Sequence, residues 1–395
     1  MRTEGEGMQH RLILALLLLA LAAPAAALES SGPYTKAAAM GIHIGTLPPG
    51  ANDAITDVAG VLVGHVTHIE GQGKLVPGVG PVRTGITAII PRVDIWHKRM
   101  FAAAWPLNGN GEMTGTLWIN ESGWLEVPIV LTDTLSVGRV DDGVISWMIK
   151  QYPGIGNTED VPLPVVAEVN DDFLNDQAGR HNLPADAGKA LDSAAAGPVA
   201  QGDVGAGTGA VAYALKGGIG TASRVLPASS GGYTVGVLVN INTYGRREDF
   251  AIDGVPVGAQ IQDLQPYEPH PQEGSIIIVV ATDAPLLHDQ LLEIAKRAAL
   301  GYARNGGSSR EGSGDLIIAF STANVVQYGQ KSLTYTTTAL DRSHINPLFV
   351  ATIEATNEAI VNALLAAQTM TGRDGNTVYA LPHDRVLEIM HRYGR

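Results

Sequence analysis

Short runs of consecutive apolar residues, rich in valine and isoleucine, constrain this chain more than any other feature. They are Val61–Val66, Thr84–Ile90, Val127–Leu131, Val165–Val169, Val211–Leu215, Tyr233–Ile241, Ser275–Thr282 and Leu316–Phe320. Glycine, proline and aspartate bound them, the pattern of strands. A half-exposed strand alternates apolar with polar residues. Several of these runs are apolar at successive positions, so both faces of their sheets must be covered. Helical patterns lie between and after them. Asp283–Leu300 starts on an aspartate cap with Pro285 in the first turn and lines up Leu287, Leu291, Ile294, Ala295 and Ala298. Pro347–Met370 reads as a longer helix stopped by Gly372. Strands and helices do not alternate in a βαβ rhythm. The expected fold is therefore layered α/β (α+β), sheet packed on sheet with helices outside, and not a doubly wound parallel sheet.

The 395 residues include no cysteine, which removes disulfides, thiolate metal sites and a cysteine nucleophile. A net charge of −13 repels a phosphate backbone, so nucleic acid is not an expected partner. Arg11 opens an apolar run, Leu12–Ala23, that ends in Ala25-Ala26-Ala27. A positive start, a short apolar core and an A-x-A end describe a secretory signal peptide over residues 1–27. The mature chain is expected to be periplasmic or secreted. No later segment is expected to span a membrane.

Familiar motifs fail one by one. Gly205-Ala-Gly-Thr-Gly209 lacks the spacing of a dinucleotide fingerprint, and a strand is expected after it instead of a helix. His65 and His68 point to opposite faces of a strand, so a metal pair is not expected there. No G-x-S-x-G elbow is present. What remains is polar motifs set in apolar surroundings: Asn108–Gly115, Val166-Ala-Glu168, Val239-Asn-Ile-Asn242, Gly274-Ser275 and Gly312-Ser-Gly-Asp315. Asn240 and Asn242 share a strand face, and each could equally be an edge-strand turn residue. A proline-rich stretch, with Pro256, Pro266, Pro269 and Pro271, meets the most apolar strand at Gly274-Ser275.

In this order the motifs resemble the family of L-aminopeptidase/D-esterase-amidases and β-peptidyl aminopeptidases, self-cleaving N-terminal-nucleophile hydrolases. Ala54–Val61, Glu121-Ser-Gly123, Gly205–Arg224, Gly274–Pro285 and Gly312–Asn324 extend the likeness over nearly all of the mature chain. The resemblance implies an αββα sandwich cut once, between Gly274 and Ser275, into subunits 28–274 and 275–395. The chemistry is consistent with these residues. A serine hydroxyl needs a base beside it, and the freed α-amino group, with a reference pKa of about 7.7–8.0, supplies one. By resemblance Ser275 is the nucleophile, Asn242 an oxyanion donor, and Ser313 and Asp315 orient the Ser275 amine. Glu168 is expected to pair with the substrate ammonium. Asn170 stands where some relatives carry a tyrosine that lines the site. The expected activity is an exported serine aminopeptidase acting on short peptides, amides or esters with a free amino terminus. It would use no cofactor or metal and assemble as a homo-oligomer of αβ heterodimers. L-α-, D- and β-amino residues all remain open as substrates. The alternatives are an acyltransferase and a non-catalytic periplasmic binding protein on the same scaffold.

Overall fold

The apolar runs form strands in a computed structural model that describes residues 35–243, 245–266 and 274–395. The signal peptide, Pro269 and Pro271 lie outside the described residues. In chain order the first six strands are β1 (Leu62–Glu70), β2 (Val82–Ile90), β3 (Lys98–Gly109), β4 (Trp124–Leu125), β5 (Ile129–Asp133) and β6 (Val165–Val169). Then come β7 (Val211–Ala212), β8 (Leu215–Lys216), β9 (Gly218–Val225), β10 (Thr234–Asn242), β11 (Ser275–Thr282), β12 (Gly314–Ser321) and β13 (Val326–Gln327). The helices are α1 (Thr116–Ser122), α2 (Val137–Gln151), α3 (Pro184–Asp192), α4 (His288–Arg304), α5 (Asn346–Ala366) and α6 (His383–Arg392).

The strands make a small sheet, β1-β2-β5-β6, and a large one, β13-β3-β12-β11-β10-β9, with β4 on β3. Among the main pairings only β5 with β6 and β11 with β12 are parallel. Helices α2 and α3 pack on the small sheet, α4 and α5 on the large one, and the result is an αββα sandwich. Strand β11 shows why its sequence is apolar throughout. Ile277, Val279 and Ala281 pack between the sheets with Ile86 and Val166, while Ile276, Ile278 and Val280 pack with Leu291 of α4 and Ile360 of α5. Truncating one such isoleucine to alanine costs about 2–5 kcal/mol. The large sheet takes β3, β9 and β10 from before residue 275 and β11, β12 and β13 from after it. The two stretches therefore build one domain.

Some expectations need correction. Helix α4 starts at His288, because the Asp283 carboxylate accepts the Thr234 amide at 2.7 Å instead of capping a helix. Gln290 caps the helix by accepting the Leu287 amide at 3.1 Å. Helix α5 ends at Ala366, and Met370 pairs with Val378 in a small hairpin. Val211–Leu215 is two short strands folded back on each other, with Tyr213 and Ala214 at φ of 53° and 56°. Asn240 and Asn242 sit on a central strand, not an edge. Finally, α5 has the length and composition to cross a membrane, yet it is almost wholly buried in the core.

Candidate active site

Ser275 opens β11, buried, with Asn242 of β10 beside it on one flank and Gly314 of β12 on the other. Strand alternation puts Ser275 and Asn242 on the face toward the small sheet. The Gly274 carbonyl before it is held from the other strand. It accepts the Gly314 amide at 3.2 Å and the Ser313 hydroxyl at 2.5 Å. Ser313 Oγ also lies 2.7 Å from Asp315 Oδ1. One hydroxyl proton cannot serve both oxygens. Burial raises the Asp315 pKa, opposed by hydrogen bonds from Ser313, Ser309, the Ile276 amide and Asn108. A protonated Asp315 would donate to Ser313, leaving Ser313 free to donate to the Gly274 carbonyl. The geometry thus aims a carboxyl–hydroxyl chain at one peptide bond.

The Asn242 side chain is fixed at both ends. Its Oδ1 accepts the Val211 amide at 2.8 Å, and its Nδ2 donates to the Asn170 carbonyl at 2.5 Å. These partners decide the amide's orientation. An amide nitrogen carries two hydrogens, so one remains beyond the Asn170 bond. Asn170 meets the site through its main-chain oxygen, while its side chain accepts the Asp172 amide at 3.0 Å and caps its own loop. Asn240, two residues deeper, donates to the Ala206 carbonyl at 3.1 Å.

Glu168 comes from the opposite sheet, near the end of β6, and is 3% exposed. Its Oε1 accepts the Glu112 amide at 3.0 Å and its Oε2 accepts the Thr134 hydroxyl. Gly111 explains how it reaches the site: a Cβ there would stand 3.1 Å from both Glu168 Oε1 and the Gly314 Cα. A side chain there would press on both, so glycine suits this close passage between the sheets. Burial pushes the Glu168 pKa up, the Thr134 and Glu112 hydrogen bonds pull it down, and Asp133 pushes it up again. Those hydrogen-bond partners are all neutral. A cavity of about 290 Å³, lined by Gly109, Gly111, Glu112, Met113, Asn120 and Leu316, opens next to it. A second cavity of about 560 Å³ shares Glu112, Met113, Thr116 and Leu117 and reaches Asp141.

The structure thus brings Gly274, Ser275, Asn242, Ser313, Asp315 and the Asn170 carbonyl around one peptide bond, with Glu168 across the gap. Sequence reasoning missed several supports. Asn108 Nδ2 donates to the carbonyls of Ser309 and Arg310 at 2.7 and 3.0 Å, and Asn110 Nδ2 to that of Gly312 at 2.7 Å. Together they pin the loop that carries Ser313. Their motif stood out as polar, but its role did not. Val211 acts through its amide and Thr134 through a lone hydroxyl, and neither leaves a mark in a sequence. Among the described residues no group of three histidine or acidic side chains could hold a metal. His65 turns to Thr87 at 3.0 Å and His68 lies 3.4 Å from Asp186 on the other face.

Fold and site together define a hydrolase of the αββα class. Comparison with known proteins narrows this. The chain matches peptidase family S58 over residues 53–378. It is 45% identical over 363 residues to the β-peptidyl aminopeptidase BapA of Sphingosinicella microcystinivorans, covering 88% of this chain and 90% of that protein. Its fold matches a Burkholderia sp. β-aminopeptidase with a TM-score of 0.83 and 42% identity, over 91% of this chain and 99% of the other. It also matches the L-aminopeptidase D-Ala-esterase/amidase of Ochrobactrum anthropi, with a TM-score of 0.85 and 39% identity over 92% and 99%. That enzyme is described as a prototype of the serine aminopeptidases and a variant of the Ntn hydrolase fold. The chain belongs to peptidase family S58, and it is an aminopeptidase.

Proposed function

We propose that the chain cuts itself between Gly274 and Ser275 and then works as a serine aminopeptidase through the freed Ser275. One observation carries this reading. The Gly274 carbonyl, next to a serine hydroxyl, is gripped by Ser313 at 2.5 Å and backed by buried Asp315. Hydrogen bonds to a carbonyl oxygen draw electrons from its carbon and favour attack. Ser275 Oγ adds to that carbon, the C–N bond breaks, and the peptide becomes an ester on Ser275 with a free amine. Water then releases the Gly274 carboxylate.

In turnover the Ser275 amine takes the hydroxyl proton as Oγ attacks the substrate carbonyl. The remaining Asn242 hydrogen serves the oxyanion, a contact whose loss typically lowers the rate about 10²–10³-fold. The departing amine recovers the proton from the Ser275 ammonium, and water hydrolyses the acyl-enzyme. Glu168 pairs with the substrate's ammonium, which restricts the enzyme to free amino termini. The name of the Sphingosinicella relative supports β-amino residues among those released. The signal-like N-terminus supports export to the periplasm or beyond. The two fragments stay joined through β10–β11 pairing and assemble as oligomers of the heterodimer.

A denaturing gel with intact masses tests the first step. Two fragments are expected, the smaller beginning Ser-Ile-Ile-Ile, and Ser275→Ala remains one inactive chain. An uncut wild-type chain with full activity would sink the mechanism.

A further inference from the structure

Lys216 at the end of β8 is fully buried, yet among the described residues its ammonium meets no carboxylate at hydrogen-bond distance. Its three donors go to main-chain carbonyls: Gly207 at 3.1 Å, Ala210 at 3.0 Å and Gly217 at 2.8 Å. A buried cation is usually paired, because removing it from water is expensive. At hydrogen-bond distance it meets peptide dipoles, while Asp203 and Asp171 act on it from further away.

The Ala210 carbonyl belongs to the same peptide unit as the Val211 amide, and that amide donates to Asn242 Oδ1 at 2.8 Å. Each link points the same way: ammonium to Ala210 oxygen, Val211 N–H to Asn242 oxygen, Asn242 N–H outward. Hydrogen bonds in a unidirectional chain polarise one another. Building on the proposed oxyanion role of Asn242, we propose that Lys216 is a positioning residue for that donor: its ammonium heads a hydrogen-bond chain that fixes and polarises the Asn242 amide. The glycines around it serve the same end. A Cβ on Gly207 would lie 2.4 Å from the Ile219 nitrogen, and one on Gly217 2.5 Å from the Ile241 oxygen. Both let the loop lie flat against β9 and β10, so the peptide between Lys216 and Asn242 cannot drift.

The chain also implies a pH signature. Burial pulls the Lys216 pKa down to about 8, opposed by Asp203 and then by Asp171, whose own pKa burial pushes well up. When Lys216 loses its proton the chain loses its positive end, so turnover falls as pH rises through about 8.

The test compares wild type, Lys216→Met, Asn242→Ala and the double variant, all as processed protein, by kcat from pH 6 to 10. Methionine keeps the side-chain length without the charge. Lys216→Met is expected to lower kcat on the order of tenfold, less than loss of the donor itself, and to abolish the fall above pH 8. In the Asn242→Ala background the same change should have little further effect, because the chain no longer has an end. A fully additive loss, or an alkaline fall that persists in Lys216→Met, overturns the proposal while leaving Asn242 in place. Wild-type turnover in Asn242→Ala overturns the oxyanion reading and the chain with it. Should Lys216→Met fail to fold, Asn242→Ala alone decides: an alkaline fall identical to wild type in that variant overturns the proposal.

Discussion

Two groups of buried carboxylates among the described residues differ in where their positive charge comes from. In the first, Arg224 of β9 carries its guanidinium 2.5 Å from Glu358, 3.4 Å from Glu354 and 3.9 Å from Asp53. Glu354 also accepts the Thr46 and Leu47 amides at 2.9 and 3.0 Å. Every member has a partner within the chain, and the cluster ties the N-terminal segment and β9 to α5. In the second, Glu168 has an amide and a hydroxyl as partners, with Asp133 raising its pKa further. Its hydrogen bonds suffice to hold the side chain still, but they do not neutralise it. A carboxylate buried beside a cavity and short of one cation suits the ammonium role proposed for Glu168. The contrast separates an ionic cluster completed within the chain from one that, in the proposed function, a substrate ammonium completes.

Arg224→Met should produce the largest effect. It takes the guanidinium from three buried acids and leaves only Lys36, 4.0 Å from Asp53, beside them, and removing one partner of a buried pair typically costs about 3–5 kcal/mol. Urea unfolding measures the loss, and molecules that stay folded should keep their kcat. Glu168→Gln reverses the pattern. Losing a desolvated charge partner costs about 2–5 kcal/mol, so kcat/KM for free-amine substrates should drop thirtyfold or more while Tm holds or rises. A matching loss of stability would put Glu168 in the same class as the first cluster.

A third expectation concerns acid. Because burial raises the Glu168 pKa, its charge, and with it the ammonium contact, should be lost at a higher pH than an ordinary carboxylate would lose it. The acidic limb of kcat/KM should contain this step, and Glu168→Gln should lack it. The smallest effect belongs to Glu358, whose pKa burial pushes from 4.5 to about 7 against the pull of Arg224. Between those values the folded state holds a proton that the unfolded chain has released. Stability should therefore decline as pH rises through that window, and Glu358→Gln should flatten the slope. A rising slope would mean that Arg224 overcomes burial.

Much of the scaffold was legible. Ser275–Thr282 and Val165–Val169 are strands at the expected limits, because successive β-branched residues leave few alternatives. Strand β3 escaped notice: Ala102, Ala103 and Ala104 have little strand preference, and Pro106 argues against a central strand. Yet β3 pairs with β12 and puts Asn108 opposite Asp315. Helices α2 and α3 also went unread, being punctuated by Gly138, Gly143 and Gly188. Candidate site residues stood out wherever a polar side chain interrupts an apolar run, as Glu168 and Asn242 do. What a sequence hides is which backbone atoms touch them. The Val211 amide, the Asn170 carbonyl and the gap at Gly111 exist only once the two sheets are stacked.

Helix α5 has one further consequence under the proposed export, in which the chain would cross a membrane before it folds. An 18-residue window of this 21-residue helix has a mean hydropathy of 1.3, in the range of a spanning segment by length and composition. Two charges interrupt it, Glu354 and Glu358, both on the face that later meets Arg224. A charged residue at the centre of a spanning helix costs about 2.5–3.5 kcal/mol during insertion. In that proposal, before Arg224 could reach them, the same two carboxylates would raise the cost of leaving the helix in lipid.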